Sequence, residues 1–209
     1  MRLTPKSFKG FCREVSRTLG ASGLAVLLTP DLAFACALPL AAQAVEFNQV
    51  QTDKSAINFT YKQMGVAVDG KFRRFSSQLS FDPAKPTAAK ATFDVELASV
   101  DTGAPEGDDE VAGKPWFNTK AFPTARFVSS SVKALGGNKY EVAGQLSIKG
   151  KTQDVLVPAT FTAQGNSGVF DGSFTIRRGD FSIGEGSWAK FDIVANEVQI
   201  KFRITATGK

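Results

Sequence analysis

The chain has 209 residues, a formal net charge of +5 and no histidine, and both of its cysteines, Cys12 and Cys36, fall within the first 44 residues. Residues 45–209 are therefore excluded from chemistry that needs a His general base, a Cys nucleophile, a Cys/His zinc site, haem held by His, or a disulfide. Five of the 25 Lys/Arg but only two of the 20 Asp/Glu also lie in residues 1–44, so the remainder carries a basic excess of two with no Lys/Arg-rich block, which argues against a nucleic-acid partner despite the pI of about 9.2.

Residues 1–44 are expected to be a cleavable secretory signal. A basic start (Arg2, Lys6, Lys9, Arg13, Arg17) precedes two apolar runs, Leu24–Leu28 and Leu32–Leu40. Ala42-Gln43-Ala44 fits the small-x-small cleavage rule and puts the mature start at Val45. Neither run reaches the roughly 20 residues of a spanning helix, because Thr29-Pro30-Asp31 interrupts them. Ala33-Phe34-Ala35 before Cys36 is a poor lipobox, so lipid attachment there is the weaker alternative. The expected location is the periplasm.

From Val45 onward, period-two patterns recur between turn signals. Ile57, Phe59 and Tyr61 alternate with Asn58, Thr60 and Lys62. Phe75, Ser77, Leu79 and Phe81 share one parity, and Asp82-Pro-Ala-Lys-Pro86 then reads as a loop. Ala91, Phe93, Val95 and Leu97 alternate with Thr92, Asp94 and Glu96. The stretch at about 101–123 differs: acidic Glu106, Asp108, Asp109 and Glu110 precede Trp116, Phe117 and Phe122, which suggests a long loop with short helical turns covering one end of the domain. The acidic cluster lacks calcium-loop spacing.

Phe127, Ser129 and Ser131 open the next strand, and Gly136-Gly137-Asn138 turns it back. Tyr140, Val142, Leu146 and Ile148 fall on one face, and Val155, Val157, Ala159 and Phe161 repeat the pattern after a tight hairpin expected at Gly150-Lys151. Gln164 to Gly168 turns the chain again into Phe170, Phe174 and Ile176, and Val198 to Ile204 alternates to the end. About eight extended runs with hairpin-length joins describe an antiparallel sandwich or an up-and-down barrel, all-β and one domain over 45–209.

Four fragments carry a resemblance: Val100-Asp-Thr-Gly103 with Trp116 to Ser130, Gly144 to Thr152, and Ile176-Arg-Arg-Gly-Asp-Phe-Ser-Ile183. In this order and spacing they resemble the YceI-like family of secreted polyisoprenoid-binding, lipocalin-like proteins. The resemblance implies an eight-stranded antiparallel lipocalin-like barrel around an elongated apolar channel that holds a long-chain isoprenoid or similar lipid. Three positions depart from the family pattern. Gly107 and Glu110 stand where many members carry Arg and His, and Ser182 stands where the family has glycine.

The residues themselves suit a greasy lining. All but three (Phe8, Phe11, Phe34) of the 18 Phe lie beyond residue 44, and Phe offers apolar area with no polar atom to satisfy. Phe59, Phe75, Phe93, Phe127, Phe161, Phe174 and Phe202 take the inward parity. Leu79, Val95, Ser129, Leu146, Ile148, Val157, Ile176 and Ile200 share it, and Trp188 is expected at the mouth. Inward small residues (Ala91, Ser129, Ser131, Gly144, Ala159) would leave volume for a ligand or merely match large neighbours. An eight-stranded barrel either fills its interior or holds one ligand, and both outcomes stay open at this stage. Arg178 matches the family arginine and is expected to point inward, gripping an anionic or quinone-like head group or pairing with Asp180.

The expected function is a non-enzymatic carrier of an isoprenoid or fatty lipid, with no metal or cofactor, acting as a monomer or homodimer in transient contact with a membrane or a membrane redox protein. The alternatives are a cell-envelope interaction barrel with a filled core and an accessory that delivers a quinone-like ligand to such a redox partner.

Overall fold

The computed structural model describes residues 45–208; the expected signal lies outside them. Eleven strands and one α-helix make up this region, with every strand pair antiparallel. The strands are β1 (Phe47–Val50), β2 (Ala56–Gln63), β3 (Val66–Phe72), β4 (Phe75–Ser80), β5 (Lys90–Glu96), β6 (Val100–Asp101), β7 (Thr124–Gly136), β8 (Lys139–Ile148), β9 (Lys151–Gln164), β10 (Ser167–Arg177) and β11 (Val194–Gly208). The sheet runs β4-β5-β7-β8-β9-β10-β11-β2-β3-β6, and β1 pairs β11.

Eleven strands replace the expected eight because one stave is bent. Only Arg73-Arg74 separates β3 from β4, yet β3 pairs β2 while β4 pairs β5. Residues 71 and 72 pair on both sides, with Asn58 and Ile57 and with Asp101 and Val100, so the curled sheet meets itself there. Phe47 bridges to Phe81 at the other end of β4. Counted as staves around the curl, β3 and β4 form one, β1 and β6 are short outriggers, and eight remain. The chain between β6 and β7 carries α1 (Pro105–Ala112), which starts on proline at its first turn, where an N–H would have no partner.

The hairpins follow local chemistry. Met64-Gly65 and Gly137-Asn138 take positive φ at both central positions, the twist that antiparallel neighbours prefer. The turn expected at Gly150-Lys151 is displaced by one: Ile148 pairs Lys151, and Lys149 (φ 50°) and Gly150 (φ 73°) occupy its centre. The Lys149 side chain compensates by donating from Nζ to the Ser182 carbonyl (2.7 Å) and to Glu185 (2.8 Å). A bulge between Ser129 and Ser131 flips the parity of β7, so Ser131 is exposed and Val132 turns inward, against expectation.

The outer wall is stitched by cross-strand ion pairs, Arg126 with Asp94 and Arg203 with Asp171, each through two hydrogen bonds. Inside, the buried residues form two clusters at opposite ends of the same strands. One gathers Leu97, Trp116, Ala125, Leu146, Ile148 and Phe181 among others. The second gathers Phe47, Phe81, Val132, Tyr140, Phe161 and Ala206. On β8, Tyr140 belongs to the second and Ile148 to the first; on β11, Ala206 and Val194 divide the same way.

Candidate functional site

Between the two clusters the barrel is hollow. A cavity of about 390 Å³ opens there, lined almost wholly by apolar side chains and within the range of ligand pockets, roughly 300–1,000 Å³. Its signature is incomplete burial of inward side chains. Phe93, Val95, Phe127, Phe174, Ile200 and Phe202 face the interior yet remain half-buried, whereas Phe47, Phe161 and Phe181 are 3%, 4% and 1% exposed. Rings of one kind differ because some have neighbours on every side and others border empty space.

Fourteen of the residues expected at the site line this cavity. They come from nearly every stave: Phe59 from β2, Leu79 from β4, Phe93 and Val95 from β5, and Phe127 from β7. Leu146 and Ile148 of β8, Val157 of β9, Phe174 and Ile176 of β10, and Ile200 and Phe202 of β11 continue the wall. Trp188 and Arg178 border it near the α1 end. Three expected residues do not line it. Phe161 belongs to the second buried cluster, 5.1 Å from the Phe47 ring and 5.0 Å from Phe81. Phe75 turns toward Phe93 at 6.5 Å outside the cavity wall. Ser129 accepts a hydrogen bond from the Ala91 amide at 2.8 Å and borders a separate surface dent.

Arg178 is not a head-group grip. It is 2% exposed and spends its guanidinium on six backbone carbonyls. Nε donates to Ala195, Nη1 to Ile183 and Gly184, and Nη2 to Trp188, Lys190 and Val194, at 2.8–3.3 Å. Its carbon centre lies 5.4 Å from the Trp116 ring and 4.8 Å from the Phe191 ring. Five donors so engaged leave none for a ligand, and Asp180 is not among the partners. Burial pushes its pKa down from the ordinary value, and the carbonyls and ring faces replace the lost water. The residue therefore staples the 183–195 segment to β10. Gly184 (φ 81°) lies where any side chain would collide with the guanidinium. Ser182, standing at the family's glycine, adopts the same left-handed backbone region at φ 54°, which explains the glycine preference there.

Polar groups border the cavity mainly near α1. The Trp188 indole N–H donates to Glu110 at 2.8 Å, joining α1 to the segment Arg178 holds. The Trp116 ring lies 5.4 Å from that of Trp188, tilted by 57°, and its own indole N–H is buried without a partner. Burial pushes the Tyr61 phenol up from its usual range. No group of His, Cys, Asp and Glu suited to hold a metal occurs among the described residues. What this arrangement offers a ligand is apolar contact.

The sequence reading missed several lining residues. Phe72 lies on β3, whose pattern Gly70 and Asp69 obscured. Val111, Gly107 and Thr102 come from the insertion, where no period signals an inward face. Of Trp116, Phe117 and Phe122, expected to cap a barrel end or line the channel entrance, the first two line the cavity, while Phe122 packs over Gly150.

The comparisons agree with this architecture. A family model described as the YceI-like domain matches residues 49–206. A UPF0312 protein of Azotobacter vinelandii is 32% identical over 162 residues, 73% of this chain and 84% of that protein. Among solved structures, BcnA of Burkholderia cenocepacia is 46% identical with a TM-score of 0.75, over 76% of this chain and all of BcnA. A polyisoprenoid binding domain from Saccharophagus degradans, implicated in plant cell wall breakdown, shares 16% identity at a TM-score of 0.60, over 79% of this chain and 99% of that one.

Proposed function

Because the chain belongs to the YceI-like domain family, we propose that it is a non-enzymatic carrier that takes one long apolar chain, isoprenoid or fatty, out of water inside its barrel. The observation that carries this reading is the half-buried Phe93, Phe127, Phe174 and Phe202 around an apolar hollow of about 390 Å³. Each 100 Å² of apolar surface removed from water contributes about 2.5 kcal/mol. A few hundred Å² of ligand surface thus reaches the roughly 8 kcal/mol of micromolar binding without any specific polar contact, before ordering costs. With Arg178 spent on carbonyls, selectivity rests on channel shape. Action in the periplasm, with release to a membrane or to a membrane redox protein, fits the signal-like residues 1–44 and a cargo insoluble in water.

The chain's only two tryptophans, Trp116 and Trp188, both border the cavity, so intrinsic fluorescence reports occupancy. Titrating the purified, delipidated protein with a short polyprenyl alcohol is expected to give a saturable one-to-one change. Fluorescence unchanged up to the alcohol's solubility limit would remove the carrier reading.

A further inference from the structure

A barrel with so many inward phenylalanines would be expected to fill itself, yet it holds a hollow of about 390 Å³. We infer that Gly70, Gly144 and Gly172 set the bore of the channel, by giving Phe59, Phe127 and Phe202 a place to lie along the wall, and so decide the width of chain admitted. This rests on the carrier reading and adds the selectivity to it.

Phe59 sits directly opposite Gly70 across the β2–β3 ladder, and Phe202 directly opposite Gly172 across β10–β11. Phe127 lies diagonal to Gly144, which pairs Ser129 across β7–β8. In each case a methyl group on the glycine would overlap the tip of the ring; at Gly144 the separation from Phe127 Cε2 would be 2.5 Å. None of the three glycines has positive φ; what excludes a side chain is space, taken in each case by the ring and by a neighbouring carbonyl, of Asp101, Val128 or Pro158. Glycine inside a strand loses entropy and packs nothing, and here an aromatic ring covers the gap it leaves. All three rings border the cavity. They lean sideways into a neighbour's missing side chain instead of toward the axis. Alanine at any of these positions would press on the neighbouring carbonyl and push the ring to another staggered rotamer, and the free space is the lumen. The pairs are spread around the circumference, so together they define a calibre. A methyl-branched isoprenoid needs a wider bore than a straight acyl chain, so the glycines favour the branched class.

Gly168 is a built-in control. Phe161 lies over it in the same way, but that ring is outside the cavity wall.

The test compares full-length wild type with Gly70→Ala, Gly172→Ala and Gly168→Ala, titrated with a polyprenyl alcohol and with a straight-chain alcohol of equal length. Wild type and Gly168→Ala are expected to prefer the branched chain. Gly70→Ala and Gly172→Ala are expected to lose at least tenfold in branched-chain affinity and clearly less for the straight chain. Carbonyls of Asp101 and Pro158 also lie close to Gly70 and Gly172, so circular dichroism and melting temperature are measured alongside. Gly172→Ala combined with Phe202→Ala should recover branched-chain binding, because the displaced ring is gone. If the alanine variants do not fold, Phe59→Ala and Phe202→Ala in the native glycine background are expected to admit bulkier chains than wild type does. An unchanged preference in the folded glycine variants, or in these ring variants where they stand in, overturns the inference. A wild type that binds neither alcohol sinks the carrier reading instead.

Discussion

At the end of the barrel bounded by β1, phenylalanine meets phenylalanine: Phe81 lies 5.0 Å from both Phe161 and Phe170, and Phe47 lies 5.1 Å from Phe161. Midway along the same strands, Phe59 and Phe202 meet glycine across the ladder. The first region is a plug with rings in edge and tilted contact, whose Phe81 and Phe170 close the hollow at that end. The second is a wall around empty space. Composition is alike in both, but the ladder partners differ: Phe161 and Phe170 pair directly with each other, Phe59 and Phe202 with glycine. The lesson is that level along the barrel axis counts as much as the cross-strand partner, since Phe161 also lies over a glycine, Gly168, and is filler.

The contrast can be broken most severely at the plug. Phe81→Ala removes a ring that is 4% exposed and contacts Tyr140, Phe161 and Phe170. A loss of about 3–5 kcal/mol is expected in urea unfolding. Phe202→Ala, which removes a half-buried ring, is expected to cost clearly less, and equal losses would erase the distinction between plug and wall.

Arg178→Met probes the other end. It would leave several carbonyls without donors and is expected to destabilise by roughly 3 kcal/mol or more. Polyprenyl-alcohol affinity in the folded fraction is expected to stay within about threefold of wild type, since a factor of ten would correspond to about 1.4 kcal/mol of lost contact. A selective loss for anionic lipids would restore Arg178 to the site.

Trp188→Phe keeps the ring but removes the bond to Glu110. It is expected to speed ligand release in stopped-flow exchange by a few-fold while leaving the plug, and so the melting temperature, almost unchanged.

The outer wall provides the smallest effects. Asp101 is held below its usual pKa by the hydrogen bond from Arg73, with the Gly103 amide and Lys71 helping, and Glu96 likewise by Arg74. A depressed carboxylate pKa contributes stability above the unfolded value of about 4, and that contribution is lost as pH falls through the folded value. Stability should therefore decline gently below about pH 4, with a shallower decline in Arg73→Ala and Arg74→Ala. With no histidine in the chain, unfolding curves at pH 6 and pH 8 should nearly coincide.

Much of the wall was legible in the residues. Clean alternation marked β5, β8 and β11, and the eight runs read from the sequence correspond to the eight staves, β4 standing for the bent one. β3 went unread because Asp69 and Gly70 weaken its pattern, although Gly70 proves to be a packing partner of Phe59. Parity failed at Ser131, where a bulge inserts one residue, and bulges leave no periodic mark. It also failed to place Phe161 and Ser129, because parity gives the face and not the level along the axis. Arg178 was rightly placed inward but not understood, since its partners are carbonyls of residues 183–195 and carbonyls carry no sequence signature. For Gly144 the sequence left two outcomes open, ligand volume or a match to a large neighbour, and the space belongs to its neighbour Phe127. The hollow itself is a property of three-dimensional fit, to which composition contributes only the rings.

Native mass spectrometry of the full protein, purified from the cell envelope without detergent, tests the central claim most directly. The account predicts a complex heavier than the polypeptide by one apolar chain, with the added mass recovered in an organic extract. A bare polypeptide mass that stays bare after incubation with a polyprenyl alcohol and with a fatty alcohol would contradict it.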